Sequence, residues 1–159
     1  MIVFNFYFYE LPNSFGHPVR IRRGIGVSDG PGGRYATYFH ALAMSISKEN
    51  AEEIVAAILK VERGHLPKYE FGVCGWVVHV DQHGVVFESE DYEDLNGEGL
   101  GSFTFAEFKW VLMAWWEFLL LPDLYDDPQY SFALPVDTPC LLDKPDSLLK
   151  PVRGNRGSV

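Results

Sequence analysis

Residues 104–121, TFAEFKWVLMAWWEFLLL, restrict the fold more than any other run in the chain. Both ends of this stretch are signed. Thr104 can cap a helix with its hydroxyl, and Glu107, three residues on, can reach back to the Thr104 N–H in a capping box. Pro122 ends it, because proline has no N–H and disfavours a helical residue before it. At about 100° per residue, Phe105, Phe108, Val111, Leu112, Trp115, Phe118 and Leu119 share one face. That stripe is a core face.

The opposite face of a surface helix should be polar, yet here it carries Trp110, Met113, Trp116, Leu120 and Leu121. Glu107, Lys109 and Glu117 alone interrupt it. A helix apolar all round is covered on two sides. Either the chain's own tail lies over the second face or a partner does, and coverage by the tail is the expectation. Three charges within the pattern argue against a membrane span.

The remaining chain reads as strands, turns and one further helix. Residues 2–9 alternate, with Ile2, Phe4, Phe6 and Phe8 on one side, which is the period of a strand buried on one face. Residues 19–27 read as a second strand with Val19, Ile21, Ile25 and Val27 inward. Residues 28–33, SDGPGG, are a loop. The aromatic and β-branched start of 35–46, YATYFHALAMSI, predicts a third strand. Ser47 then opens a helix whose apolar face is Ala51, Ile54, Val55, Ile58, Leu59 and Val61, and Gly64 is its C′ residue. Residues 69–80 read as one strand, followed by a hairpin turn at 81–84 into a strand over 85–89. From Pro122 onward, six prolines within 38 residues exclude long helices and predict an extended wrap over the body. The order β-β-β-α-β-β-α predicts an α+β fold: an antiparallel sheet of about five strands, two helices and a proline-rich tail. Residues 1–150 are expected to form a single domain, with 151–159 a flexible terminus.

A chain of 159 residues suits one domain with a real core. Its net charge of −9 disfavours a nucleic-acid backbone as partner, since phosphate binding needs a basic footprint. Two cysteines far apart, Cys74 and Cys140, are not a disulfide framework and fit a reduced, cytoplasmic protein. The N-terminus MIVFNFYFYE has no basic n-region and no small-residue cleavage site, so it reads as a strand rather than a signal peptide.

Most candidate chemistry fails on spacing. Gly24 and Gly26 would need a third glycine at position 29 to make a dinucleotide fingerprint, but Asp29 stands there and no helix is expected to follow. The EF-hand frame that places Asn96-Gly97 correctly puts Tyr92 and Phe103 at ligand positions, so it fails, although a loose calcium site on exposed carboxylates stays open. His79, Asp81 and His83 cluster at a hairpin, but Cys74 and His79 are an odd number of residues apart and a regular strand sets them on opposite faces. No nucleophile elbow is present. Arg20, Arg22, Arg23 and Arg34 flank one hairpin; they can bind an anion, offset the acidic segment or solvate an edge strand. No catalytic residue, metal site or cofactor is therefore expected.

What stands out is the acidic run ESEDYEDLNGE at 88–98, with six carboxylates in eleven residues, leading into the aromatic helix. Such a run is either a solvated loop or a docking surface. As a docking surface, Glu88, Glu90, Asp91, Glu93, Asp94 and Glu98 would steer a basic partner, and Trp110 and Trp116 would supply buried anchors. From Glu88 through SFTFAEFKWVLMAWWEFLLLP, about 34 residues resemble a C-terminal pattern of small acidic immunity proteins. These accompany bacterial polymorphic toxins, including those of contact-dependent growth inhibition. The resemblance rests on Phe105, Glu107, Phe108, Leu112, Trp115, Phe118 and Leu119. It implies a cytoplasmic, non-enzymatic protein that binds one toxin domain, often a nuclease, and it carries over no catalytic residue. The proline-rich tail lies outside it. Two other readings remain: a small metal-dependent hydrolase using the His79–His83 region, and an adaptor subunit of a larger assembly.

Overall fold

The computed structural model describes residues 1–11, 20–89, 101–122, 129–134 and 147–152. The chain is α+β, and among the described residues it contains two four-stranded antiparallel sheets and three helices. The first sheet joins β1 (Ile2–Leu11), β2 (Arg20–Val27), β7 (Gln129–Leu134) and β8 (Lys150–Val152) in the order β2-β1-β7-β8. The second is a meander of β3 (Lys68–Val73), β4 (Trp76–Asp81), β5 (Gly84–Ser89) and β6 (Ser102–Phe103). Helices α1 (Arg34–Ser45) and α3 (Phe105–Leu120) each contact both sheets, while α2 (Lys48–Glu62) packs on α3 and the second sheet.

The core lies where these layers meet. Phe4, Phe6 and Phe8 are buried, as their alternation predicts, and Phe6 packs against Trp115 and Phe118 of α3. Phe39 of α1 bridges the two sheets, touching Phe4 on one and Phe87 and Phe103 on the other. The Trp115 indole donates to the Ile46 carbonyl at 2.9 Å, so this buried aromatic is also satisfied.

Both expected helix caps form. The Thr104 hydroxyl accepts from the Glu107 N–H at 3.1 Å, and the Glu107 carboxylate accepts from the Thr104 N–H at 2.8 Å. Ser47 caps α2 in a reciprocal box with Asn50. At the other end of α2, Gly64 has φ +74, and its N–H and that of His65 return to Val61 and Lys60 in a Schellman motif.

Three expectations are corrected. Two sheets replace the single five-stranded one. Residues 35–46, expected as a strand, are almost wholly helix α1. Alternation would mix polar and apolar groups on each strand face, whereas the helical period gathers Tyr35, Phe39 and Leu42 toward the core. The N-terminus of α1 is satisfied at a distance: Asp29 accepts from the Tyr35 and Ala36 N–H groups at 2.8 and 3.2 Å. A helix does follow the glycine-rich loop, then, but the Asp29 carboxylate occupies the place where an anion would bind. Residues 69–80 form a hairpin rather than one strand. Cys74 and Gly75 make a two-residue turn at φ 40 and 82, positive at both positions as a type I′ turn requires.

The tail re-enters the fold as strands. β7 pairs with β1, and β8 with β7. Glu117, on the second face of α3, accepts from the Leu148 N–H at 2.9 Å and from the Ser147 hydroxyl. Residues 153–159 lie outside the described residues.

Candidate partner-binding face

The inner face of the second sheet packs on the helices through Phe71, Val78 and Phe87. With a period of two, the neighbouring residues point the other way. In register across the strands these are Lys68, Asp81 and Gly84; Glu70, His79, Val86 and Ser102; and Gly72, Val77 and Glu88. No helix lies over this outer face among the described residues. Val86 is 43% exposed there, and Glu70 and Glu88 are exposed.

His79 sits between the two carboxylates. Its Nδ1 lies 3.0 Å from Glu70 Oε1, and its Nε2 lies 2.8 Å from Glu88 Oε2. A neutral imidazole donates through one nitrogen only, so both contacts are hydrogen bonds when the ring is an imidazolium. Both carboxylates are exposed and the imidazole is partly so, and the triad contributes little to stability. Asp81 is engaged locally, accepting from the backbone N–H groups of His83 and Gly84 at 2.7 and 3.1 Å in the hairpin turn. Cys74 is a free, exposed thiol at the β3–β4 turn, and its Sγ accepts from the Ser45 hydroxyl at 3.1 Å. Cys140 lies outside the described residues. Among the described residues, no group of three or more His, Cys, Asp or Glu side chains is arranged to hold a metal ion.

Of the acidic run, Glu88 ends within β5 and points outward. Glu90, Asp91, Glu93, Asp94 and Glu98 lie in 90–100, outside the described residues. That segment leaves from Ser89 and returns at Gly101, whose carbonyl accepts from the Phe87 N–H at 2.9 Å, so both its ends sit at the β5–β6 edge.

The tryptophans are placed differently from the carboxylate. Trp110 is only 6% exposed and belongs to the packed interior, with the Lys109 ammonium 5.2 Å from its ring. Lys109 is itself buried and pairs with Glu62 of α2 at 2.6 Å. Trp116 is half-buried. Both stand on α3, which lies on the inner side of the second sheet, whereas Glu88 faces away from it. The structure therefore does not bring Glu88 and the tryptophans onto one surface.

The hairpin arginines separate in role. Arg23 shares the inward parity of Ile25 and donates to the Phe118 and Leu121 carbonyls, the latter at 2.6 Å, at the C-terminus of α3. Its guanidinium lies 4.8 Å from the Phe8 ring centroid. Arg34 donates to the Ser102 carbonyl and stacks on Phe103 at 4.3 Å. Arg22 is exposed on the outward parity, and the side chain of Arg20 is outside the described residues. Among the described residues no helix is long and apolar enough to cross a membrane. Comparison with protein-family profiles, with curated proteins and with solved structures finds no match.

Proposed function

We propose that this chain is a non-enzymatic binding protein of the immunity type, which captures a basic toxin domain in the cytoplasm and uses no cofactor, nucleic acid or membrane. The observation that carries the reading is an open sheet face bearing Glu70 and Glu88, with the acidic run 88–98 rooted at its edge. Acidic groups on an uncovered face raise the encounter rate with a cationic partner and exclude acidic ones. The triad also costs the fold little to change, so binding can be altered without unfolding the chain.

The partner to test is the protein encoded beside this one. Combining Glu90→Lys, Asp91→Lys and Asp94→Lys should leave the melting temperature unchanged and weaken that complex, by roughly 2–5 kcal/mol if a pair is buried on binding. The association rate of the parent should fall as salt rises toward physiological strength, where the Debye length is about 8 Å. A folded triple variant that binds and protects like the parent would sink the acidic-surface reading.

A further inference from the structure

We propose that the groove along the outer edge of β2 takes an extended acidic peptide segment of a protein partner, added to the first sheet as a further strand. β2 pairs with β1 on one side and with no strand on the other among the described residues. Two cavities, of about 620 and 450 Å³, follow this edge in series between β2 and α1, and both are lined by Ile25 and His40. Together they run past Arg22 to Val27, six residues or roughly 20 Å at a strand's rise. A compact anion would fill one cavity, whereas an extended chain fills both.

The lining settles the charge of the occupant. Arg22, Arg23, His40 and Lys48 line the groove, and no carboxylate does among the described lining residues, in a chain whose net charge is −9. Glu10 and Glu49 stand on the adjoining elements but line neither cavity. Arg23 is committed to the end of α3, so recognition of acidic side chains falls to Arg22 and Lys48, both exposed. The walls are apolar: Tyr7 and Tyr9 on the sheet side, Met44 on the helix side at 68% exposure, and Trp115 and Leu119 at depth. The far end is bounded by Gly30, Pro31 and Gly32 and suits small residues. Strand addition supplies affinity through backbone hydrogen bonds, and alternate side chains read such pockets. This surface belongs to the other sheet and has the opposite polarity from the acidic face, so the two readings stand or fall separately.

The test is fluorescence anisotropy with a labelled peptide alternating glutamate and valine over the length of β2. It should bind, while its lysine–valine counterpart should not. Combining Arg22→Glu with Lys48→Glu should weaken binding about tenfold or more, with the far-UV spectrum unchanged because both residues are exposed. Met44→Glu, on the opposite wall, should weaken it independently. Methylating alternate peptide nitrogens should abolish it. The proposal is overturned by absence of binding, by equal binding of the lysine peptide, or by full affinity in the folded double variant. Indifference to N-methylation, or displacement by inorganic phosphate at constant ionic strength, would reassign the groove to small anions and equally overturn it.

Discussion

Arg23 shows how one side chain can join two elements. It occupies an inward position of β2, where a charge would be expensive, and it is accommodated because the unsatisfied carbonyls at the end of α3 accept from it. Arg23→Ala should cost about 2–3 kcal/mol in urea denaturation, the scale of hydrogen bonds to a charged group. Arg23→Lys should recover little, because an ammonium cannot reproduce the planar fork that serves two carbonyls and a ring. Three phenols define a second residue-scale expectation. Burial holds the Tyr35 hydroxyl above its ordinary value near 10, and its hydrogen bond to Glu107 adds to this; burial likewise raises Tyr38 and Tyr69. Each folded phenol keeps its proton to a higher pH than the unfolded one. Their contribution is fully present below about pH 10 and is lost as pH rises through the folded values. Denaturation midpoints measured from neutral to strongly alkaline pH should therefore fall above pH 10, and Tyr35→Phe should flatten that fall.

Among the elements, α3 depends on Glu107 more than its sequence position suggests. One carboxylate oxygen closes the capping box, and the other accepts from the Tyr35 hydroxyl at 2.7 Å, fastening α3 to α1. Thr104→Ala should destabilise by about 1 kcal/mol. Glu107→Ala should cost about 2 kcal/mol, since it also removes the acceptor of the Tyr35 hydroxyl, and a double-mutant cycle with Tyr35→Phe should show coupling. Both halves of the cap are legible from Thr104 and Glu107 alone, because a capping box is local. The Tyr35 contact spans 72 residues and is not. For α1, a period-two reading and a period-3.6 reading compete over the same aromatics. The burial available between two sheets decides for the helix.

At the scale of the whole molecule, the C-terminal segments complete both the first sheet and the core. β7 covers the side of β1 away from β2, and Phe132, Leu134, Leu148 and Leu149 are all buried. Each such side chain is worth roughly 1.5–3 kcal/mol. Their joint loss approaches the total of about 5–15 kcal/mol that holds a domain together. A chain ending at Pro122 should fail to fold or should aggregate, with β1 bare along one edge. A soluble truncation with an unchanged melting temperature would show that β7 and β8 are dispensable.

The sequence by itself determined what depends on neighbours along the chain. That covers the alternation that buries Phe4, Phe6 and Phe8, the caps at Ser47 and Thr104, the stop at Gly64, the hairpin at 81–84 and the α+β class. Tertiary structure alone decided what depends on residues far apart. It divided the strands into two sheets, turned residues 34–45 into a helix, and sent Trp110 into the interior while Glu88 faces outward. It also set Glu70 and Glu88 on either side of His79, a juxtaposition made by strand register across β3, β4 and β5. The physical reason is range: capping and turn preferences act within a few residues, whereas burial and cross-strand pairing act between segments that meet only once the chain has folded.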